Sequence, residues 1–316
     1  MKRMLTATLA AAIVGAGAQA QAEYPEKPVK IIIPFGVGGS TTAIVRSLAE
    51  YLEPVLGEDV VITNVNGAGG SVGLNQAIKA KPDGYTIGMY ADNLPVAMAL
   101  GQDRPQIGDY VPACMITKLV LGVAVQGDGG SIDDLETLNA MAKDNPGELG
   151  MAIGLGTLAQ FAGQAYINGS GADLQLVNVG DGAAKLAAVI GGHVPTTIAP
   201  VAGLMGAHRG NQVKIVAVMH DERLDFLPDV PTVGEAIGTD VAMANSLAFV
   251  VPPETPESVI DTFCAAVKTV GENPEFAKKM YSLGVTWSFR DADGLTDYIG
   301  ETEATMSEIG ASLKKK

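Results

Sequence analysis

The chain has 316 residues, 35 Asp plus Glu against 21 Lys plus Arg, 47% hydrophobic and 18% charged residues. At roughly 150 residues per domain this is enough for about two cores, and so apolar a chain can offset its ordering entropy, which excludes disorder. A formal charge of −14 disfavours nucleic acid or an anionic membrane as partner, while leaving room for a local site that holds a small anion.

Residues 1–22 combine Lys2 and Arg3, an apolar stretch over 4–18 and overlapping Ala-x-Ala sites. This is the pattern of a cleaved export signal, with cleavage expected after Ala20 or Ala22. The stretch falls short of the roughly 20 residues that span a bilayer. Its removal takes two positive charges and moves the net charge from −14 to −16. The expected location is the periplasm. Cys114 and Cys264 are the only two cysteines; in an oxidising compartment they can pair or serve as two small buried hydrophobes, and spacing does not choose. His193, His208 and His220 lack metal-ligand spacing, so no metal is expected.

Strand and helix patterns then alternate. Residues 29–35 read as a β-branched strand, 36–42 as a Gly-rich loop and 43–56 as an amphipathic helix; 59–64, 66–70 and 72–79 repeat the cycle, and 85–90 is a third strand. An apolar run at 119–125 opens a second series: helix 132–143, strand 149–153, loop 154–157, a helix from Leu158, strand 174–179, loop 180–182, helix 183–190 and strand 214–218. Helices over 258–270, 274–283 and 295–309 close the chain. This alternation predicts an α/β fold of two lobes, each a mostly parallel sheet flanked by helices, joined near 119–125 and 245–252 across a cleft. The boundaries read as lobe 1 over 23–121 plus 250–316 and lobe 2 over 122–249.

Four Gly-rich clusters, 36–42, 66–73, 154–157 and 180–183, each follow a strand and open a helix. Helix starts carry unpaired N–H groups and about half a positive charge, and glycine lets an anion approach the backbone. Two such loops per lobe can clamp a carboxylate without an arginine. Two enzymatic motifs compete. Gly154-Leu155-Gly156-Thr157-Leu158-Ala159 fits a dinucleotide fingerprint, but Val177-Asn178-Val179 lacks the acid that should follow. Gly69-Gly70-Ser71-Val72-Gly73 fits a nucleophile elbow, which makes an exported serine hydrolase using Ser71 the alternative reading. No cofactor is expected.

The ordered set of Tyr24-Pro25-Glu26-Lys27-Pro28-Val29, Ile33-Pro34-Phe35-Gly36-Val37-Gly38-Gly39, Asn66-Gly67-Ala68-Gly69-Gly70-Ser71-Val72-Gly73, Pro82-Asp83-Gly84-Tyr85-Thr86, Asn145-Pro146-Gly147 and Leu227-Pro228-Asp229-Val230-Pro231-Thr232 resembles the substrate-binding receptors of tripartite tricarboxylate transporters, the Bug-type periplasmic proteins. The resemblance covers roughly residues 24–313. It implies a periplasmic-binding-protein-like (type II) fold and a non-enzymatic receptor, a monomer, that closes on a small organic carboxylate and presents it to an integral-membrane permease. Carried onto this chain, it implies first-lobe ligand contacts from Gly36, Gly38, Gly39, Ser40, Thr41, Ala68 and Gly69. Second-lobe contacts would come from Gly156, Thr157, Gln160, Gly180 and Asp181, and the returning segment offers Asn245 and Ser246. Where the family often has Asp, this chain has Thr42; where it has Tyr-Lys-Gly, Val179-Gly180-Asp181 stands; an Asp near Ala199 and a Trp near Ser246 are also missing. These departures imply a smaller or less polar distal site.

Overall fold

The run Val29–Ile33 has four of its five residues buried and forms the central strand β1 of a first parallel unit. The computed structural model describes residues 24–180, 182–239 and 241–313, so the export signal expected over 1–22 and the candidate Asp181 lie outside the described residues. After β1 come helix α1 (Ser40–Leu56), β2 (Val60–Asn64), a one-turn 3-10 helix (Ala68–Gly70), α2 (Ser71–Ile78), β3 (Thr86–Ala91) and α3 (Asn93–Ala99). β1 pairs parallel with both β2 and β3.

The next strand, β4 (Val111–Gln126), is 16 residues long and crosses from one lobe to the other. Beyond it lie α4 (Leu135–Asp144), β5 (Leu149–Ile153), α5 (Leu158–Ser170), β6 (Leu174–Asn178), α6 (Ala183–Ile190), β7 (Thr196–Pro200), α7 (Val201–Arg209), β8 (Val213–Val218) and α8 (Val233–Ile237). β5 pairs parallel with β6 and β7, a second three-strand unit like the first. Strand β9 (Ala244–Val251) returns antiparallel to β4 and joins it to β3, and α9 (Glu257–Gly271), α10 (Pro274–Ser282), β10 (Trp287–Arg290) and α11 (Ala292–Leu313) complete the chain. The strand order β2-β1-β3-β9-β4-β7-β5-β6 runs through both lobes, with β8 and β10 also on β4. The sheet is therefore parallel within each three-strand unit and antiparallel around the two connecting strands.

β4 contributes to both cores. Cys114, Ile116 and Leu119 pack with β1 and α9, whereas Leu121, Val123 and Val125 pack with β5 and α5. Residues 112–117 are all buried, whichever face they take. Register shifts against β9 at Pro112/Cys114 and Met115/Thr117 break the regular alternation there, because each extra residue reverses which face the following side chains occupy.

Helix starts follow local chemistry. α4 begins later than the apolar pattern suggests because the Asp134 carboxylate accepts from the Thr137 amide at 2.7 Å and fixes the cap there. α1 begins three residues earlier than expected, since Gly39 serves as its N-cap.

Cys114 of β4 and Cys264 of α9 form a disulfide, with Cα atoms 6.0 Å apart. It closes a loop of 150 residues, and both cysteines lie in the first of the two cores. Replacing both cysteines by Ser is expected to lower the unfolding free energy by about 2–4 kcal/mol, mainly by loosening the unfolded chain. Urea denaturation of the variant checks this, and an unchanged midpoint and slope would reject it.

Candidate ligand-binding site

The first loop leaves its donors unspent. Gly39 caps α1 in an extended conformation, φ −76 and ψ 160, with no side-chain hydrogen bond to the helix start. Its carbonyl accepts from the Thr42 and Ala43 amides, while the amides of Gly38, Gly39, Ser40 and Thr41 have no partner among the described residues. Gly38 lies at φ +93, with nothing within 4 Å of the position a side-chain carbon would take. Asn64, the last residue of β2, holds the loop: its amide nitrogen donates to the Phe35 carbonyl at 2.9 Å and to the Thr42 hydroxyl oxygen at 2.8 Å. The clamp uses a carbonyl and a hydroxyl and spares the backbone N–H groups. Gly36 lies beside the Asn66 side chain, and a carbon added at Gly203 of α7 would come within 3.8 Å of the Ser40 hydroxyl, so the second lobe approaches this helix start.

The second loop turns sharply through four successive positive φ values, 145 at Gly67, 48 at Ala68, 63 at Gly69 and 105 at Gly70. Such a run lets consecutive amides point to one side, and those of Ala68 and Gly69 are unpaired among the described residues. At Gly73 an added carbon would fall 2.7 Å from the Val65 carbonyl oxygen and 2.8 Å from the Pro34 Cα, so glycine is what lets α2 lie against the end of β1. The Ser71 hydroxyl is buried and has no hydrogen-bond partner among the described residues. Nδ1 of His208 accepts from the Ile215 amide, and Nδ1 of His220 sits 2.9 Å from the Glu222 carbonyl. No described base is hydrogen-bonded to Ser71, which a serine nucleophile would need.

The two second-lobe loops are bound more tightly to themselves. The Gly156 amide donates to Gln160 Oε1 at 2.8 Å, the Thr157 hydroxyl to the Gly154 carbonyl at 2.8 Å, and the Leu158 amide to Asn93 Oδ1 at 2.9 Å. Asn178, the last residue of β6, accepts from the Leu155 and Gly180 amides, both at 3.3 Å. Asn64 and Asn178 occupy equivalent places: each is the register partner of the last residue of its central strand, Ile33 and Ile153. One donates and frees amides; the other accepts and consumes them. The Thr157 amide stays unpaired among the described residues. Lys185 of α6 is buried and donates to the Ile198 carbonyl at 3.1 Å.

The loops of the two lobes meet. A carbon added at Gly69 would lie 3.6 Å from the Gly156 carbonyl oxygen and 3.7 Å from an Arg104 guanidinium nitrogen. One added at Gly156 would lie 3.4 Å from Gln102 Nε2. The segment between α3 and β4, which carries Gln102 and Arg104, thus reaches the junction. No sequence pattern marks these two residues, Asn64, Asn93 or Asn178, since each is brought in by tertiary placement.

Asn245 and Ser246 serve the connection between lobes. Asn245 Oδ1 accepts from the Asp92 amide at 3.1 Å, and the Ser246 amide and hydroxyl donate to the Asp92 carboxylate at 2.8 and 2.7 Å. Tyr298 adds a third donor at 2.7 Å. Burial pushes the Asp92 carboxyl above its ordinary value, opposed by these bonds and by Lys118. Lys118 itself sits 4.5 Å over the Tyr298 ring, and burial and then Arg290 hold its ammonium below the usual lysine value. Asp92, Lys118 and Tyr298 line a cavity of about 680 Å³ with Arg223, Glu301 and Thr302, and none of the four Gly-rich loops contributes to it.

The sequence model of the tripartite tricarboxylate transporter family receptors, TctC, matches residues 44–313. The chain belongs to this receptor family. It is similar to Protein BugT of Bordetella pertussis, 27% identical over 301 residues and covering 92% of each chain. Among solved structures, the periplasmic binding protein BugD superposes with a TM-score of 0.83 at 25% identity, over 92% of this receptor and 98% of BugD. MatC from Rhodopseudomonas palustris, a structure with bound malate, has a TM-score of 0.82 at 21% identity over 91% and 100% of the two chains. The receptor therefore has the two-lobed periplasmic-binding-protein fold.

Proposed function

We propose that this receptor captures a small organic acid, a di- or tricarboxylate or a close relative, and delivers it to an integral-membrane permease of the tripartite tricarboxylate type. It would act in the periplasm as a monomer after cleavage behind Ala20 or Ala22, without catalysis or cofactor. Lobe 1 would comprise 23–121 plus 250–316 and lobe 2 residues 122–249. The carrying observation is the row of unpaired amides at Gly38, Gly39, Ser40 and Thr41 opening the 17-residue α1, beside a glycine with free space around it. A carboxylate there satisfies orphan donors and sits at the positive end of a helix dipole.

Gly36, Gly38, Gly39, Ser40 and Thr41 would take one ligand carboxylate, while Ala68 and Gly69 of the second loop, with Gly156, Thr157 and Gln160 of the other lobe, would contact the rest of the ligand. Asp181 stays in the proposed set with Gly180. Asn245 and Ser246 would act through Asp92, by keeping the connecting strands in register. The malate recorded with MatC is an acid of the proposed size. Because the ligand bridges both lobes only when they are together, its differential contacts favour closure.

A thermal-shift screen against small mono-, di- and tricarboxylates tests the reading. At a hundredfold the dissociation constant a ligand adds about 2.7 kcal/mol of stability, and the methyl esters and amides of the same acids are expected to add none. An ester that stabilises as strongly as its acid would remove the electrostatic basis of the site.

A further inference from the structure

We infer that Arg104 determines ligand specificity, by pairing with a second ligand carboxylate beside Gly69, where the two lobes meet. The inference rests on the carboxylate-receptor reading and deepens it. Three observations carry it. First, the guanidinium lies where the lobes meet, 3.7 Å from the position of a carbon on Gly69, whose other neighbour there is the Gly156 carbonyl. Second, its charge is uncompensated: Nε is buried without a hydrogen-bond partner, Nη2 donates to the neutral Gln102 side chain, and no carboxylate among the described residues forms a salt bridge with it. Third, the second-lobe loops have already spent the Leu155, Gly156, Leu158 and Gly180 amides on Asn178, Gln160 and Asn93, so backbone donors for a second acid group are scarce there.

The segment bearing Arg104 is anchored. The amides of Leu100, Gly101 and Gln102 return to carbonyls of α3, with Gly101 at φ +80 ending the helix. At its other end α3 supplies Asn93 to the start of α5, so the helix that leads into this segment is tied to both lobes. A guanidinium nitrogen buried without a partner is costly, and a carboxylate meets the planar fork with two parallel charge-assisted bonds. An acid with one carboxylate would occupy the α1 amides and leave Arg104 unsatisfied; a diacid would satisfy both.

The test is isothermal titration of the mature protein with matched pairs, succinate against butyrate and malate against 2-hydroxybutyrate, for the wild type, Arg104→Gln and Arg104→Lys. Charge-assisted bonds of this kind predict a fall of about 10-fold or more in the diacid-over-monoacid affinity ratio for Arg104→Gln. Arg104→Lys, which keeps the charge and loses the fork, should fall between the two. A drop in that ratio of less than about 5-fold in Arg104→Gln, with acids still bound, overturns the role of Arg104 and leaves the receptor reading intact. If no diacid or monoacid binds the wild type, both readings fall together.

Discussion

Gly38→Asp is expected to reduce carboxylate affinity by at least about 100-fold. The substitution places a negative charge beside the unpaired amides of Ser40 and Thr41, where it would cap α1 itself and repel the ligand. It also forces a side chain to φ +93, a strain of about 1–3 kcal/mol. Gly38→Ala separates the two effects, because it shares the strain and lacks the charge, and nothing lies within 4 Å of the Cβ that both variants add. Titration of both variants with the tightest acid from the thermal screen measures the difference. Equal affinities for the Asp and Ala variants would show that the first loop does not hold the anion.

Asp92→Ala should cost about 4 kcal/mol of unfolding free energy. The carboxylate is buried and accepts from the Ser246 amide, the Ser246 hydroxyl and the Tyr298 hydroxyl, and its removal leaves these donors buried without it, at about 1–3 kcal/mol for each group left unsatisfied. Urea denaturation reads this directly, and a loss under about 1 kcal/mol would mean that water or a neighbour takes over. The pH dependence has a definite sign. Since burial raises the folded-state pKa of Asp92 above its ordinary 3.8, the folded protein holds this proton more tightly than the unfolded chain. The resulting stabilisation is complete below the ordinary value and declines as pH rises through the shifted pKa. Asp92→Asn should lack that decline, and wild-type and Asn variants with parallel stability profiles would contradict it.

Much of the scaffold is legible in the sequence because its signals are local. The β-branched run at Val29–Ile33 followed by glycines, and the strands read over 59–64, 85–90, 149–153 and 174–179, place the first three-strand unit, two strands of the second and the loops beside them. The ordered motifs lead to the receptor family, and the family match bears them out. Elements without a period escape. α3 has seven residues with Pro95 in its first turn, and its burial on several sides erases the polar stripe that marks a helix. β7 is missing from the alternation read in the sequence; it opens with two threonines, whose hydroxyls donate to the Ala124 and Ala152 carbonyls. The site divides in the same way. Glycine clusters announce where amides are exposed, yet whether each amide is free depends on Asn64, Asn178, Asn93 and Gln160. Arg104 carries no local signal at all, since only the folded path of the segment after α3 brings it to Gly69.

The double allegiance of β4 has a consequence for any attempt to recombine this receptor with a relative. A graft that exchanges one half at a simple breakpoint would split a strand whose early residues fill one interior and whose later residues fill the other, and would part it from β9 along their shared ladder. A transplant of ligand preference should therefore move β4 and β9 as a single cassette from one parent, with the glycine loops exchanged around them.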